Sequence, residues 1–540
     1  MKCVVVGSGP SGANAALTLL RRGREVELWD PGLDEPPLPC PEAGFHELKG
    51  QLADPQEYFL GRRFDALLPA GAGELLRYPP SRNFLLSREH PLWPYDGDEF
   101  LPQASFARGG LGAGWGANAV SYDDDDLRDW PIGLADLTES YQEACRRLPI
   151  AGPEDELSGY FPGVVVNQPP VRLNRHDSDL LAAYGRRARA IQAATGLYLA
   201  RARIAAVTTP GDARACTDCG RCLWGCPTGS LYHPGQTTLD ACRAYPGFSY
   251  KPGRLVLSLV SRDGRVTALR FLDPDSRLHA TTPCEAVFLA AGALQTGAIF
   301  LRTLQNDSRF MAGAQAVDRT QSVLDTRVIK LPYVYLAQVG RQPETRQFQF
   351  NRLIVAHRKT RSGWPSHCHG ELLSLNTLLY HTLIESIPFG SRLGMQAFAR
   401  LRAALGVVTY FLPDRPAYDN GLSIVPDPDS PTGDRLRVHY RDDAAKEDLA
   451  RGILADTRRA LLRLGCLPWQ PQWAPPGAGI HYAGTVPMGT GHRCTDATGK
   501  ANAYDNLYIC DGAAFPTLPS KSITLNLIAH AIRVATLARV

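Results

Sequence analysis

The run KCVVVGSGPSGANAALTLLRRGREVELWD, beginning at Lys2, constrains the fold more than any other part of the chain. Cys3 to Val6 read as a buried strand, the turn after it carries Gly7, Gly9 and Gly12, and an apolar helix is expected from Ser11 to Arg22 before a second strand that ends at Asp30. Strand, turn and helix in this register make G-x-G-x-x-G the signature of a dinucleotide site. Gly7 allows the tight turn, Gly9 lets a pyrophosphate approach the backbone, and Gly12 lets helix and strand pack closely. Phosphate then sits on the helix N-terminus, at Ser11 and its neighbours. Asp30, eighteen residues past Gly12, stands where an acid accepts ribose hydroxyls. The unit alone does not separate FAD from NAD.

At 540 residues the chain exceeds what one hydrophobic core supports, so two or more domains are expected. Its 58 basic and 54 acidic residues leave a net charge of only +4, which gives no sign of a nucleic-acid partner. The acidic run Asp123 to Asp126 reads as a solvated loop. No run of eighteen apolar residues is present, so no membrane-spanning helix is expected. Residues 376–412 are apolar and aromatic, with Arg392, Arg400 and Arg402 and a single acid, Glu385. Such a stretch can lie on a membrane surface, although core or lid is the more ordinary role. The opening residues show no charged region, apolar segment or cleavage site of a secretion signal. A cytoplasmic location is therefore expected, with 376–412 as the candidate for peripheral membrane contact.

Cys216, Cys219, Cys222 and Cys226 form C-x2-C-x2-C-x3-C, followed by Pro227, in a chain with thirteen cysteines. In a reducing compartment such clusters hold metals or do chemistry instead of forming disulfides. The spacing leaves no loop of the length found in structural zinc sites. It matches the ferredoxin-type run around an iron–sulfur cluster. The expectation is a 4Fe–4S cluster on all four thiolates, a 3Fe–4S cluster on three, or a set completed by a remote thiol such as Cys242. A metal-free loop of buried thiols is the competing reading.

Further segments complete the pattern. ARGGLGAGWGANAVSY, from Ala107 to Tyr122, is a glycine-rich loop around a tryptophan, able to press its backbone on a flat ligand. EAVFLAAGALQTGAIFL, from Glu285, is a strand that turns at Gly292 into a helix, and the C-terminal tract holds HYAGTVPMG from His481 and NLYICDGAAFP from Asn506. Together these resemble the glucose–methanol–choline (GMC) family of flavoprotein oxidoreductases. The resemblance implies an α/β protein: a Rossmann-like FAD-binding domain assembled from 1–311 and 476–540, containing the cysteine loop 214–230, and a second α+β substrate domain, 312–475, on a mostly antiparallel sheet. It implies bound FAD with contacts at Gly110, Trp115, Gly116, Asn118, Ala291, Gly292, Asp511 and Gly512, besides the N-terminal glycines. Long-chain alcohol oxidases and sterol-oxidase-like members are similar in carrying such a cysteine run between the tryptophan loop and the A-A-G strand.

Oxidation of an alcohol takes a proton from oxygen and a hydride from carbon; a flavin accepts the hydride, and the protein supplies base and geometry. His481 is the candidate base, since neutral imidazole accepts a proton near neutral pH. The family's second catalytic position, usually Asn or His, falls on Ser522 by ungapped alignment. A serine can donate one hydrogen bond but cannot serve as a second base. Asn526 and His530, one and two helical turns on, are the possible replacements. The expected function is FAD-dependent oxidation of a hydroxyl on a sugar, polyol or related alcohol, with electrons leaving through an iron–sulfur cluster to an external acceptor, a protein or quinone. A cluster-free oxidase of sterols or long-chain alcohols, or a flavin electron-transfer or reductase protein, is the alternative.

Overall fold

The computed structural model describes residues 2–64, 66, 78–86, 92, 94–96, 100–155, 157–273, 276–311, 317–359, 364, 367–374 and 390–540. The N-terminal unit forms as its sequence dictates. Strand Lys2–Val6 is buried from Cys3 onward and leads into helix Pro10–Arg21, whose N-cap is Gly9 and whose first position is a proline. Strand Glu25–Trp29 returns parallel to the first, pairing Val6 with Trp29. A side chain on Gly12 would place its Cβ 1.8 Å from the Gly7 carbonyl oxygen, so only glycine lets the helix lie this close to the turn.

These strands sit in a five-stranded parallel sheet, ordered Leu507–Ile509, Ala286–Leu289, Lys2–Val6, Glu25–Trp29 and Phe248–Lys251. Its members come from the beginning, middle and end of the chain. Both faces are covered, which is why the strands read as continuous apolar runs. Cys3, Val5 and Phe288 face a core shared with Leu17 and Val534, while Val4, Val6 and Leu289 face another shared with Leu301 and Phe300. The last helix, Thr524–Leu537, packs on Pro10–Arg21.

A seven-stranded antiparallel sheet stands apart from it. Strands Cys466–Pro468, Val328–Tyr335, Leu405–Phe411, His367–Ser374, Leu353–Arg358 and Leu197–Arg201 follow in that order, with Gln472–Trp473 also paired to Val328–Tyr335. Side chains alternate between its faces. Leu331, Val408, Tyr410 and Leu372 pack on helix Ala444–Arg463 through Leu449, Ile453 and Leu461. Their sequence neighbours point the other way.

The expected 312–475 unit differs from this sheet at two places. Leu197–Arg201 joins from outside it, pairing Leu199 with Val355. Strands Gly421–Pro426 and Asp434–His439, within it, pair with each other, the second also with Tyr95–Asp96, and they bury Leu422, Leu436 and Val438 in the core beside the parallel sheet. In 376–412, residues 376–389 lie outside the described residues; Ser391–Leu401 is a helix, and Leu405–Phe411 is an internal strand, so that part is core and not membrane surface. Among the described residues no helix is long and apolar enough to cross a membrane.

Candidate active site

One cavity of about 410 Å³ runs from the glycine turn to the antiparallel sheet. Its first part is a backbone cradle. Gly7 and Gly9 line it together with Ser11, the first-turn position with its amide toward the helix N-terminus. Gly7 has φ +103°, a conformation that needs glycine. A Cβ on Gly9 would meet only the Gly109 carbonyl oxygen, at 3.8 Å, so the protein leaves that space open. Gly12 is not among the lining residues; its role is the close packing described above.

Asp30 closes the far end of the cradle. Its carboxylate accepts from the Ser8 amide at 3.2 Å and the Tyr250 hydroxyl at 2.8 Å, and burial nevertheless pushes its pKa up to about 6. Gly110, Trp115, Gly116 and Asn118 form a wall from the tryptophan loop, and Ala291, Gly292, Asp511 and Gly512 line the cavity from the carboxyl ends of the strands. Asp511 has a structural task as well: it accepts from the Gly292 amide at 2.8 Å and the Thr296 hydroxyl at 2.6 Å, tying the two segments together. Empty space over Gly9, amides at a helix N-terminus and a carboxylate twenty-one residues beyond fit a dinucleotide such as FAD.

His481 enters from a strained turn. Ile480 has φ +55°, and a Cβ on Gly479 would meet the Thr326 carbonyl oxygen at 2.2 Å, so the chain is forced past Thr326 before Tyr482–Ala483 pairs with Leu324–Asp325. The imidazole lies 4.9 Å from the Phe411 ring, and its Nδ1 is enclosed without a hydrogen-bond partner among the described residues. Burial pulls its pKa down to about 4. It is therefore neutral at ordinary pH and in the form that accepts a proton.

Ser522 lines the same cavity from the loop after FP. Its neighbour Lys521 fixes that loop by pairing with Asp123 at 2.9 Å and Asp126 at 2.8 Å. The acidic run is thus an anchor and not a solvated loop: Asp126 is buried. The Ser522 hydroxyl donates to Glu371 Oε1 at 3.2 Å, and Asn118 Nδ2 donates to the same oxygen at 2.7 Å. Asn526 does not reach the cavity. Its Oδ1 accepts from the Tyr122 amide and the Tyr141 hydroxyl, and its Nδ2 donates to the carbonyls of Val120 and Ser522, so it is a bracket behind the site and not a catalytic group. His530 lies deeper still, its Nε2 3.2 Å from the Ile509 carbonyl oxygen.

Reasoning on motifs missed Glu371 and Lys330, which line the cavity from the antiparallel sheet, and Tyr250, the partner of Asp30. An acid and a lysine on strands of alternating polarity look like ordinary solvent-facing residues; only the burial of both sheet faces marks them.

Cys216, Cys219, Cys222 and Cys226 do converge, on a void of about 10 Å³. That is room for roughly one water. Burial raises the thiols of Cys216, to about 12, of Cys219 and of Cys222. Among the described residues no group of three or more His, Cys, Asp or Glu is placed to hold a metal ion. Cys242 lies in the core under the parallel sheet, its sulfur 3.8 Å from the Ala13 carbonyl oxygen. The arrangement does not fit the expected iron–sulfur cluster and reads as a packed thiol loop.

Residues 422–531 match the family model described as GMC oxidoreductase. Over 98% of its length the chain is 25% identical to the 6'''-hydroxyparomomycin C oxidase of Streptomyces lividus, covering 89% of that protein. To the paromamine 6'-oxidase of Streptomyces fradiae it is 24% identical, over 98% of this chain and 90% of that one. In fold it is similar to the crystal structure of pyridoxine 4-oxidase from Mesorbium loti, with a TM-score of 0.59 and 14% identity over 99% of this chain and 98% of that one. With the cradle and His481 already in place, these likenesses support an oxidoreductase, similar to the GMC oxidoreductases over residues 422–531.

Proposed function

We propose that the chain binds FAD in the cradle at the parallel sheet and oxidises a CH–OH group of a sugar or related alcohol held against the antiparallel sheet. The observation that carries this reading is the meeting of His481 and Ser522, from two separate segments, in the cavity that begins at the glycine turn. Gly7, Gly9, Ser11 and Asp30 would hold the dinucleotide, with the tryptophan loop and the 291–292 and 511–512 turns around its other end. Bound FAD supplies a hydride acceptor. The neutral imidazole of His481 takes the hydroxyl proton as the C–H and O–H bonds break and the carbonyl forms. Ser522 orients the substrate oxygen, and Ile480 and Phe411 fix the imidazole.

The two Streptomyces relatives, oxidases of 6'''-hydroxyparomomycin C and paromamine by name, support a sugar-like alcohol. Both Streptomyces relatives are oxidases by name, which supports oxygen over an external protein or quinone as the final electron acceptor. The cysteine loop has no part in this scheme. The test is anaerobic mixing of the FAD-loaded protein with a panel of sugar alcohols and aminoglycosides, followed by the flavin absorbance. Bleaching by at least one alcohol is expected, and lost in His481→Ala with FAD retained. A protein that binds no FAD, or a His481→Ala variant that bleaches at the parent rate, overturns the reading.

A further inference from the structure

Glu371 is a half-buried carboxylate that no cationic side chain meets among the described residues. Strand register places it opposite Thr409, and Thr409 opposite Lys330, so the three stand in one row across three strands. All three line the cavity that holds His481 and Ser522. Glu371 is half-buried, and its open surface lines the cavity. Its hydrogen bonds from Asn118 and Ser522 both fall on Oε1, and both come from neutral groups. Burial raises its pKa, and no positive side chain among the described residues offsets that cost. A buried carboxylate is retained at such expense when something pairs with it. Ser522, short where the family has Asn or His, leaves the carboxylate facing the cavity.

We propose that Glu371, held by Asn118 and Ser522, is the specificity residue for a protonated amine, and that the substrate is an amino sugar or amino alcohol whose ammonium pairs with Glu371 while a hydroxyl faces His481. This rests on the reading of the cavity as the site of alcohol oxidation. Lys330, at the other end of the row, is half-buried and lines the same cavity. A neutral sugar of equal shape would leave Glu371 desolvated without a partner, and the site rejects it for that reason.

The experiment uses the FAD-loaded protein with D-glucosamine, its uncharged relative N-acetyl-D-glucosamine, and D-glucose, read in two ways: binding, by perturbation of the flavin spectrum, and anaerobic flavin reduction. Glucosamine is expected to bind about 10²- to 10³-fold more tightly than either neutral sugar, with the preference largely lost in Glu371→Gln and partly kept in Glu371→Asp. The change should fall mainly on KM, with the parent FAD content unchanged. Comparison of the three sugars on the parent protein needs no variant, so a folding defect in Glu371→Gln leaves the test intact. Reduction by all three sugars at similar kcat/KM overturns the amine site while the oxidation reading stands. Glu371-dependent preference for glucosamine in binding, with no flavin reduction by these sugars or by any of the sugar alcohols and aminoglycosides, keeps the amine site and overturns the oxidation reading. Binding of none of the three overturns the amine site.

Discussion

Gly9 and Gly12 lie three residues apart in one turn, and the structure assigns them opposite fates on replacement by alanine. Gly9 has φ −63° and ψ −176°, ordinary extended backbone, and its Cβ would meet only the Gly109 oxygen at 3.8 Å. As an N-cap, alanine there is worse than glycine by a few tenths to about 1 kcal/mol, and the stiffer unfolded chain returns about 0.4–1 kcal/mol. The flavin-free protein should therefore keep its stability within about 1 kcal/mol. Gly12 is different. Its Cβ would lie 1.8 Å from the Gly7 oxygen and 3.3 Å from Ala290 Cβ, and the closer contact is backbone that no rotamer change relieves. Overpacking of this kind costs about 1–3 kcal/mol or more, beyond the roughly 1 kcal/mol that alanine gains as a helix former. Thermal unfolding across a series of FAD concentrations separates the two effects, because FAD that binds only the folded state raises stability by about 4 kcal/mol at a thousand times its Kd. Gly9→Ala should match the parent without FAD and lose the rise with added FAD; Gly12→Ala should start lower. A Gly9→Ala protein with parent affinity for FAD would refute the placement of the pyrophosphate, and a Gly12→Ala protein with parent stability would refute the packing argument.

His481→Ala should retain FAD and slow substrate-dependent flavin reduction by about 10²- to 10⁴-fold, measured by anaerobic stopped flow. Because enclosure lowers the His481 pKa to about 4, its base form persists as pH falls, and the reduction rate should show no loss attributable to this group until below about pH 5. A fall centred near 6.5, in reduction that depends on His481, would show that the imidazole is solvated. Asn526→Ala removes a bracket with four hydrogen bonds and should lower thermal stability by about 2 kcal/mol or more while costing reduction much less than His481→Ala does. Cys219→Ser should leave FAD content and flavin reduction near parent values; abolished turnover together with lost iron would restore a cluster to the cysteine loop.

The parts of the site made of backbone were legible in the sequence. A glycine turn between a strand and a helix has few solutions, so Gly7, Gly9, Gly12 and Asp30 could be placed from spacing alone. Spacing was a poorer guide for side chains. The four cysteines have a cluster's spacing and do gather, yet the void among them is about 10 Å³, and spacing along a chain says nothing of how tightly a loop closes. Asn526 lies one helical turn beyond Ser522, a plausible reach, but the phase of the helix turns it toward Val120, Tyr122 and Tyr141 instead. Asp123 to Asp126 look solvated until Lys521, nearly 400 residues later in the chain, is found between them.

The cavity wall on the antiparallel sheet was hidden for a deeper reason. Lys330, Thr409 and Glu371 come from three strands, and what makes them neighbours is antiparallel register, which no local pattern reports. On their own strands each alternates with apolar residues and looks like a solvent-facing position. The helix Ala444–Arg463 covers the face below them, and the parallel sheet with its loops stands over the face on which they lie, so both faces of the antiparallel sheet are buried. A polar residue on such a sheet is costly to keep. Lys330 and Glu371 persist at opposite ends of one row, and burial drives both toward their neutral forms. His481, on the same cavity, is driven the same way. Burial thus works against charge on each of these groups, and a ligand of opposite charge would shift its partner in that row back toward the ionised form; the glycine cradle, made of backbone, has no such dependence on what alcohol arrives.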